Sequence, residues 1–347
     1  MAYSTIPKGN LYMNTVLYTG NGSTQNITGV GFKPDWVWVK QRGGTTNHKT
    51  SDAVRGVTKA LQPNDTDAEA TDSNGITAFN SNGFSLGNGG DYNGSSNTQV
   101  AWNWKANGAG SANTDGAIGS VTASANQTAG FSIVKYEGTG NAVTVGHGLG
   151  AVPKMMIIKN RASAEEWGVY HVANGNTHVQ YLNTSNAKID DAGFWNDTTP
   201  TNLVFTVGNS SRVNQNGSAM IAYCFAEKQG YSKFGSYTGN GATLGPFVYC
   251  GFKPSFIIVK KTSGSGSWWM HDNKTSPFNV ATQVIVANSN ATETNGVGQM
   301  DFLSNGFKLR DATDATNSSG GSYIYMAFAK NPFVATSGSD AIPATAR

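Results

Sequence analysis

Apolar residues in this chain come in short runs fenced by Gly, Asn, Ser and Thr, as in "GFKPDWVWVKQR" at residues 31–42. Side chains alternate along an extended chain, which puts Val37 and Val39 on one face and Trp36 and Trp38 on the other. Both faces are apolar, the mark of a strand covered on both sides. The proline before it removes an amide only where the strand begins. The phrase returns as "GLGAVPKMMIIK" at 148–159 and "GFKPSFIIVK" at 251–260. Met155 and Ile157 then oppose Met156 and Ile158, and Phe256 and Ile258 oppose Ile257 and Val259. Burial accounts for the two tryptophans better than a ligand-stacking platform does.

Other landmarks keep the same step. Tyr18, Tyr136 and Tyr237 open "YTGNG", "YEGTG" and "YTGNG"; Trp104, Phe225 and Phe328 lie in "VAWNWKA", "IAYCFAE" and "YMAFAK". "SNGFSLG" at 81–87 matches "SNGFKLR" at 304–310, while the second copy has drifted to "TNLVFTVG" at 201–208. In the first copy the pattern predicts strands near 14–18, 26–30, 35–40, 76–80, 83–87 and 98–105, with Gly/Asn turns between them. A unit of roughly 100 residues with six to eight strands has the size of a β-sandwich or jelly-roll. The expected fold is therefore all-β, with three tandem sandwiches at 12–106, 130–228 and 229–333. An arm at 1–11, a Gly/Ala/Ser/Thr linker at 107–129 and a tail at 334–347 complete the division. Each unit is expected to bury its own core. Units two and three should form a rigid pair, with unit one set apart by the linker.

Composition supports the β reading: charged residues make up 13%, aromatics 11%, and there are 43 glycines among 347 residues. A net charge of +3 without a Lys/Arg cluster argues against nucleic acid as a partner. No apolar run reaches the roughly 18–20 residues of a membrane-spanning helix. The start, "MAYSTIPKGNLYMNT", lacks a signal-peptide core, so synthesis in a cytoplasm and release by lysis or a dedicated apparatus is expected. Cys224 and Cys250 lie in strand-like runs and read as buried free thiols.

Catalytic chemistry finds little support. His48, His171 and His271 follow the repeated strand and read as strand-end histidines bonded to backbone; His147 and His178 fall in no metal spacing. The acidic stretches 64–75 (Asp65, Asp67, Glu69, Asp72) and 311–319 (Asp311, Asp314, Asn317) could offer oxygens to Ca²⁺ but lack an EF-hand pattern, and read as solvated loops. Glu165 and Glu166, if on a strand, would point to opposite faces and make a poor acid/base pair. No nucleophile elbow occurs, and the "YTGNG" loops lead into no helix, so they are turns and not phosphate loops. No catalytic residue, metal or cofactor is expected. Trp195 in "GFWNDTTP", and Tyr92 with Asp91 in "GGDYNGSSN", are the candidate ligand-binding residues of a carbohydrate-binding reading.

The sequence "GFKPDWVWVKQR…DAVRGVTKALQPND…NGITAFNSNGFSLG…VAWNWKA" resembles a repeat of tailed-bacteriophage structural proteins, abundant in marine and cyanobacterial phages. The match covers most of the first copy and, more loosely, the other two. The resemblance implies a virion component built of β-sandwich modules: a tail-fibre or receptor-binding protein, or a capsid-decoration or head-fibre protein. It implies other virion proteins as partners and carries over no site residues. A homo-oligomer, most simply a trimer, is expected on the particle, with a host-surface glycan as a further expected partner.

Overall fold

The computed structural model describes residues 4–332, so the tail expected at 334–347 lies outside the described residues. The fold is all-β. Each inner sheet has the same strand order: opening, closing, middle, hairpin. The opening strands are Met13–Thr19, Phe131–Glu137 and Ser232–Thr238. The closing strands are Thr98–Trp104, Ala219–Ala226 and Ser322–Pro332. The middle strands, which carry the repeated phrase, are Trp36–Gln41, Pro153–Asn160 and Phe252–Lys261. The hairpin strands are Lys49–Asp52, Gly168–His171 and Trp268–Asp272. An outer layer contains the pairs Gln25–Thr28 with Gly83–Leu86, Val143–Gly146 with Val204–Val207, and Phe247–Tyr249 with Gly306–Leu309.

The middle strands are buried on both faces, as their alternation requires, but the covers differ. Val37 and Val39 face the outer layer of their own unit with Ile27, Phe84 and Leu86. Met156 and Ile158 do the same with Val145 and Phe205. Trp36 and Trp38, however, join Met155, Ile157, Phe225, Phe256 and Phe328 in one core shared by all three units. Trp36 stacks on Tyr223 at 4.3 Å and packs on Phe131 at 5.8 Å; Trp104 lies 6.0 Å from Phe328, and Phe225 lies 6.0 Å from Phe328. The expectation of three independent cores, with unit one apart, is thereby corrected. A sheet apolar on both faces needs two covers, and the three inner faces cover each other.

The contacts close a ring. Trp167 Nε1 of unit two donates to the Gln62 carbonyl of unit one at 3.1 Å, and Trp268 Nε1 of unit three to the Tyr181 carbonyl of unit two at 2.9 Å. His48 Nε2 of unit one lies 3.1 Å from the Val286 carbonyl of unit three. The backbone amides of these three residues are bound alike, by the side-chain oxygens of Asn64, Asn183 and Asn288.

Residues 107–129, expected as linker, contain strands Ser111–Asn113 and Val121–Asn126, which extend the inner sheet of unit two beyond its opening strand. Small residues here serve close packing. Ile6, in the expected N-terminal arm, is fully buried in the shared core.

Candidate binding surface

Strand register defines two ends. Met13, Trp36, Phe131, Met155, Ser232 and Phe256 each sit opposite Trp104, Phe225 or Phe328 at one end, the base. Thr19, Gln41, Glu137, Asn160, Thr238 and Lys261 sit opposite the start of the closing strands at the other end, the tip. The first strand starts at the base and the last, ending at Pro332, returns to it. Both passages between units leave from Trp104 and Ala226, also at the base. The tip carries the hairpins near 42–48, 161–167 and 262–267, the three Tyr-x-Gly loops, and the segments that enter the closing strands, with the short helices Gly90–Asn93 and Ser211–Asn214.

One device anchors each Tyr-x-Gly loop. The hydroxyls of Tyr18, Tyr136 and Tyr237 donate to the carbonyls of Tyr92, Val213 and Thr316 at 2.8, 2.6 and 2.6 Å. The side-chain oxygens of buried Asn93, Asn214 and Asn317 accept loop amides from Asn21, Thr139 and Asn240 at 3.0, 2.7 and 2.9 Å. These loops are turns held from below, as their composition implies.

Beneath the tip, alternation turns Lys40, Lys159 and Lys260 to the inner face, and all three are fully buried. Lys40 donates to the carbonyls of Gln41 and Gly44 at 2.7 and 2.8 Å. Lys159 reaches Thr66 of unit one at 2.8 Å, and Lys260 reaches Asn186 of unit two at 2.7 Å. Burial lowers their pKa values to about 8, about 8 and about 7. The lysine that ends each repeated phrase was in plain view in the sequence; only the alternation rule, carried one residue further, would have placed it inside.

The candidate ligand aromatics are buried. Trp195 is 1% exposed and donates to the His178 carbonyl at 3.0 Å; Tyr92 is 1% exposed in the outer core of unit one. Neither presents a ring to a ligand, which corrects that expectation: each is a large apolar group closing a loop over a core. Asp91 does reach the surface and pairs with Lys49 at 3.2 Å. Above Trp195 the structure has instead an open groove of about 280 Å³, lined by Asn141, Asn196 and Asn209.

The acids of the two loops are engaged. Glu69 forms a two-pronged pair with Arg161 at 2.8 and 2.9 Å. Asp311 is buried and accepts the Gln299 amide at 2.9 Å, and Asp314 pairs with Lys261 at 2.5 Å. Among the described residues no group of three or more His, Cys, Asp or Glu is placed to hold a metal ion. Glu165 and Glu166 lie in a loop, not on a strand, and both turn toward the short helix Ser211–Asn214. Glu165 accepts from Ser211 at 2.7 Å and Glu166 from Arg212 at 2.6 Å.

His48, His147, His171 and His271 are buried, and His178 is half-buried. His171 Nε2 lies 3.1 Å from the Tyr325 carbonyl, while neither ring nitrogen of His271 has a partner among the described residues. Register shows that the three are not equivalents: His48 stands where Trp167 and Trp268 stand, and His171 where Asp52 and Asp272 stand. Burial lowers His48 to about 3, His171 to about 4 and His271 to about 3. Cys224 and Cys250 are free and buried, and burial pushes the Cys250 thiol up to about 12.

One family model, described as Domain of unknown function (DUF7483), matches residues 8–332 and so spans all three units. The chain belongs to the DUF7483 family. No curated protein matches it. The span of this DUF7483 match agrees with the shared core, because no unit could be removed without exposing the inner faces of the other two. Among the described residues of this DUF7483 protein, no helix is long and apolar enough to cross a membrane.

Proposed function

We propose that this protein is a non-enzymatic virion surface component of a tailed bacteriophage: a tail-fibre or receptor-binding module attached by its base and meeting the host surface with its tip. One observation carries the reading. Every described passage between units starts and ends at the base, where both described chain ends also lie; the longer passage rises along the flank of unit two and returns, so none begins or ends at the tip. The repeated-strand resemblance supports the phage context. The shared core and ring of seams support a rigid scaffold, since the lysines and ion pairs of the seams are bound to backbone or to each other and not turned into a cleft. Loops of Gly, Asn, Ser and Thr at the tip suit polar contacts such as those of a host-surface glycan. The Asn-lined groove of unit two is the first place to seek one.

A capsid-decoration or head-fibre role uses the same polarity. Assembly as a homotrimer would place three such rings about one axis. Electron microscopy of intact particles labelled with antibody decides between these positions. Label at the tail tip supports the fibre reading, label over the head supports decoration, and absence from purified particles overturns both. Incubation with host capsule or lipopolysaccharide should free no new reducing ends; saturable turnover abolished by a single Asp or Glu substitution would overturn the non-enzymatic reading.

A further inference from the structure

One flank of each unit is bounded by two sheet edges, the opening strand of the inner sheet and the first outer strand. In unit two the chain covers this flank itself. Val121–Asn126 pairs with the opening strand, Thr122 against Lys135 and Ser124 against Ile133. The amides of Ala117 and Ile118 close the outer edge on Thr144, at 2.9 Å to its hydroxyl and 3.2 Å to its carbonyl. Ile118, Val121 and Ala123 are buried beneath. Gly146 permits this approach, since a Cβ there would collide with the Asn113 side chain.

No described segment covers the same flank of unit three. Val248 pairs with Phe307 as Val145 pairs with Phe205, so Phe247 and Tyr249 occupy the places of Thr144 and Gly146. They are 44% and 55% exposed, and the nearby Leu244 is 70% exposed. Between Tyr249 and the start of the opening strand runs a groove of about 340 Å³. The Tyr231 carbonyl and Gly239 amide both bond toward the closing strand, so alternation turns the amides of Ser236 and Thr238 outward. No described residue meets them. In unit one the equivalents of Phe247 and Tyr249 are Asn26 and Thr28, and Asn26 accepts from Ser85 at 2.6 Å. The outer edge of that flank is polar and carries no exposed aromatic ring.

The outward amides of Ser232 and Phe234 are taken by the Lys228 carbonyl and the Glu227 carboxylate, so the open part of the edge is Gly235–Thr238. We propose that the unit-three flank binds an extended strand from a second, different polypeptide, which pairs with the edge at Ser236 and Thr238 and covers Phe247 and Tyr249. An edge with open amides at Ser236 and Thr238 beside exposed aromatic rings is an arrangement that strand addition uses, with backbone bonds supplying affinity and alternate side chains specificity. The covered flank of unit two indicates the occupant: a near-neutral segment in which aliphatic residues alternate with Ala, Ser and Thr, as in "AIGSVTASAN" at 117–126. Charge adds little to the choice, because Lys233 and Glu227 already pair at 2.8 Å.

The test uses the full chain and a synthetic peptide of residues 116–127 as probe, read by amide hydrogen exchange. Slowed exchange at Ser236 and Thr238, with Leu17 and Thr19 of unit one unchanged, is the expected result. Ser236→Pro should abolish the effect, since its amide serves no internal pairing and the fold should tolerate it. Phe247→Ser with Tyr249→Ser should weaken it several-fold without touching the edge backbone. Equal slowing on unit one, or none at saturating peptide, overturns the proposal. Slow exchange of both amides in the protein alone also overturns it: independence of protein concentration would mean that the chain's own segment fills the flank, and loss on dilution that a second copy does.

Discussion

The seams that unit one makes with its neighbours differ from the seam between units two and three. Where units one and two meet, Arg161 pairs in two-pronged fashion with Glu69, and the Tyr223 hydroxyl donates to Asp52 at 2.8 Å. Where units one and three meet, Arg42 pairs likewise with Glu293 at 2.8 and 3.0 Å, and Trp102 Nε1 donates to Asp272 at 3.1 Å. At the third seam the same positions hold Thr262 with Lys188, and Met326 with His171. What remains at every seam is a ring nitrogen against a neighbour's carbonyl, together with the shared apolar core. The ring therefore closes on packing and backbone geometry. Charge pairs are added at the two seams of unit one, whose other partner, unit three, is remote in sequence. Surface pairs contribute modestly, but a buried donor or charge left without its partner is costly.

The largest expected effect tests whether the three units are one cooperative body. Trp36→Ala removes a ring packed on Trp104 and Tyr223 at 4.4 and 4.3 Å. Calorimetry should show a loss of about 3–5 kcal/mol in one transition for the whole chain. A separate transition for unit one would break the shared-core account. Next in size is Asp52→Ala, which removes the fully buried one of the two carboxylates paired with the buried Arg55 guanidinium, leaving Glu69, and the acceptor of the Tyr223 hydroxyl. A loss of about 3–5 kcal/mol in denaturant melts is expected. His171→Ala, at the equivalent position of the third seam, should cost clearly less, because no buried charge depends on it; equal losses would erase the distinction between seams.

Acid should come next. The folded pKa values of His48, His171 and His271 lie at about 3 to about 4, below the ordinary 6.5, so the folded state resists protonation that the unfolded chain accepts. Their contribution is complete above pH 6.5 and lost as pH falls toward 4 and below. The three lysines, lowered from 10.5 to about 7 or about 8, act in the same sense at higher pH: stability should rise between pH 7 and 10. Melts from pH 4 to 10 check both windows, and Lys260→Met should flatten the alkaline one. The smallest effect sharpens the comparison directly. Thr262→Arg with Lys188→Glu installs the missing pair at the third seam and should add about 0.5–1 kcal/mol. Either change alone should add nothing.

The sequence by itself determined most strands of the first unit, though not the hairpin strand Lys49–Asp52, together with the internal repetition and the double-sided burial of the repeated phrase. Strand periodicity is local, and Val37, Trp38 and their equivalents state it within a few residues. Free buried thiols and turn-like Tyr-x-Gly loops were legible for the same reason. What covers the second face was not, because apolar alternation records that a face is buried and not by whom. Only the tertiary structure brings Trp36, Phe225 and Phe328 into one core, turns residues 107–129 from linker into edge strands, and sinks Trp195 and Tyr92. It also aligns His48 with Trp167 and Trp268, and His171 with Asp52 and Asp272, equivalences that hairpin length hides along the chain. These were decided by close packing between segments far apart in sequence, where each residue's partner is set by shape and register and not by its neighbours.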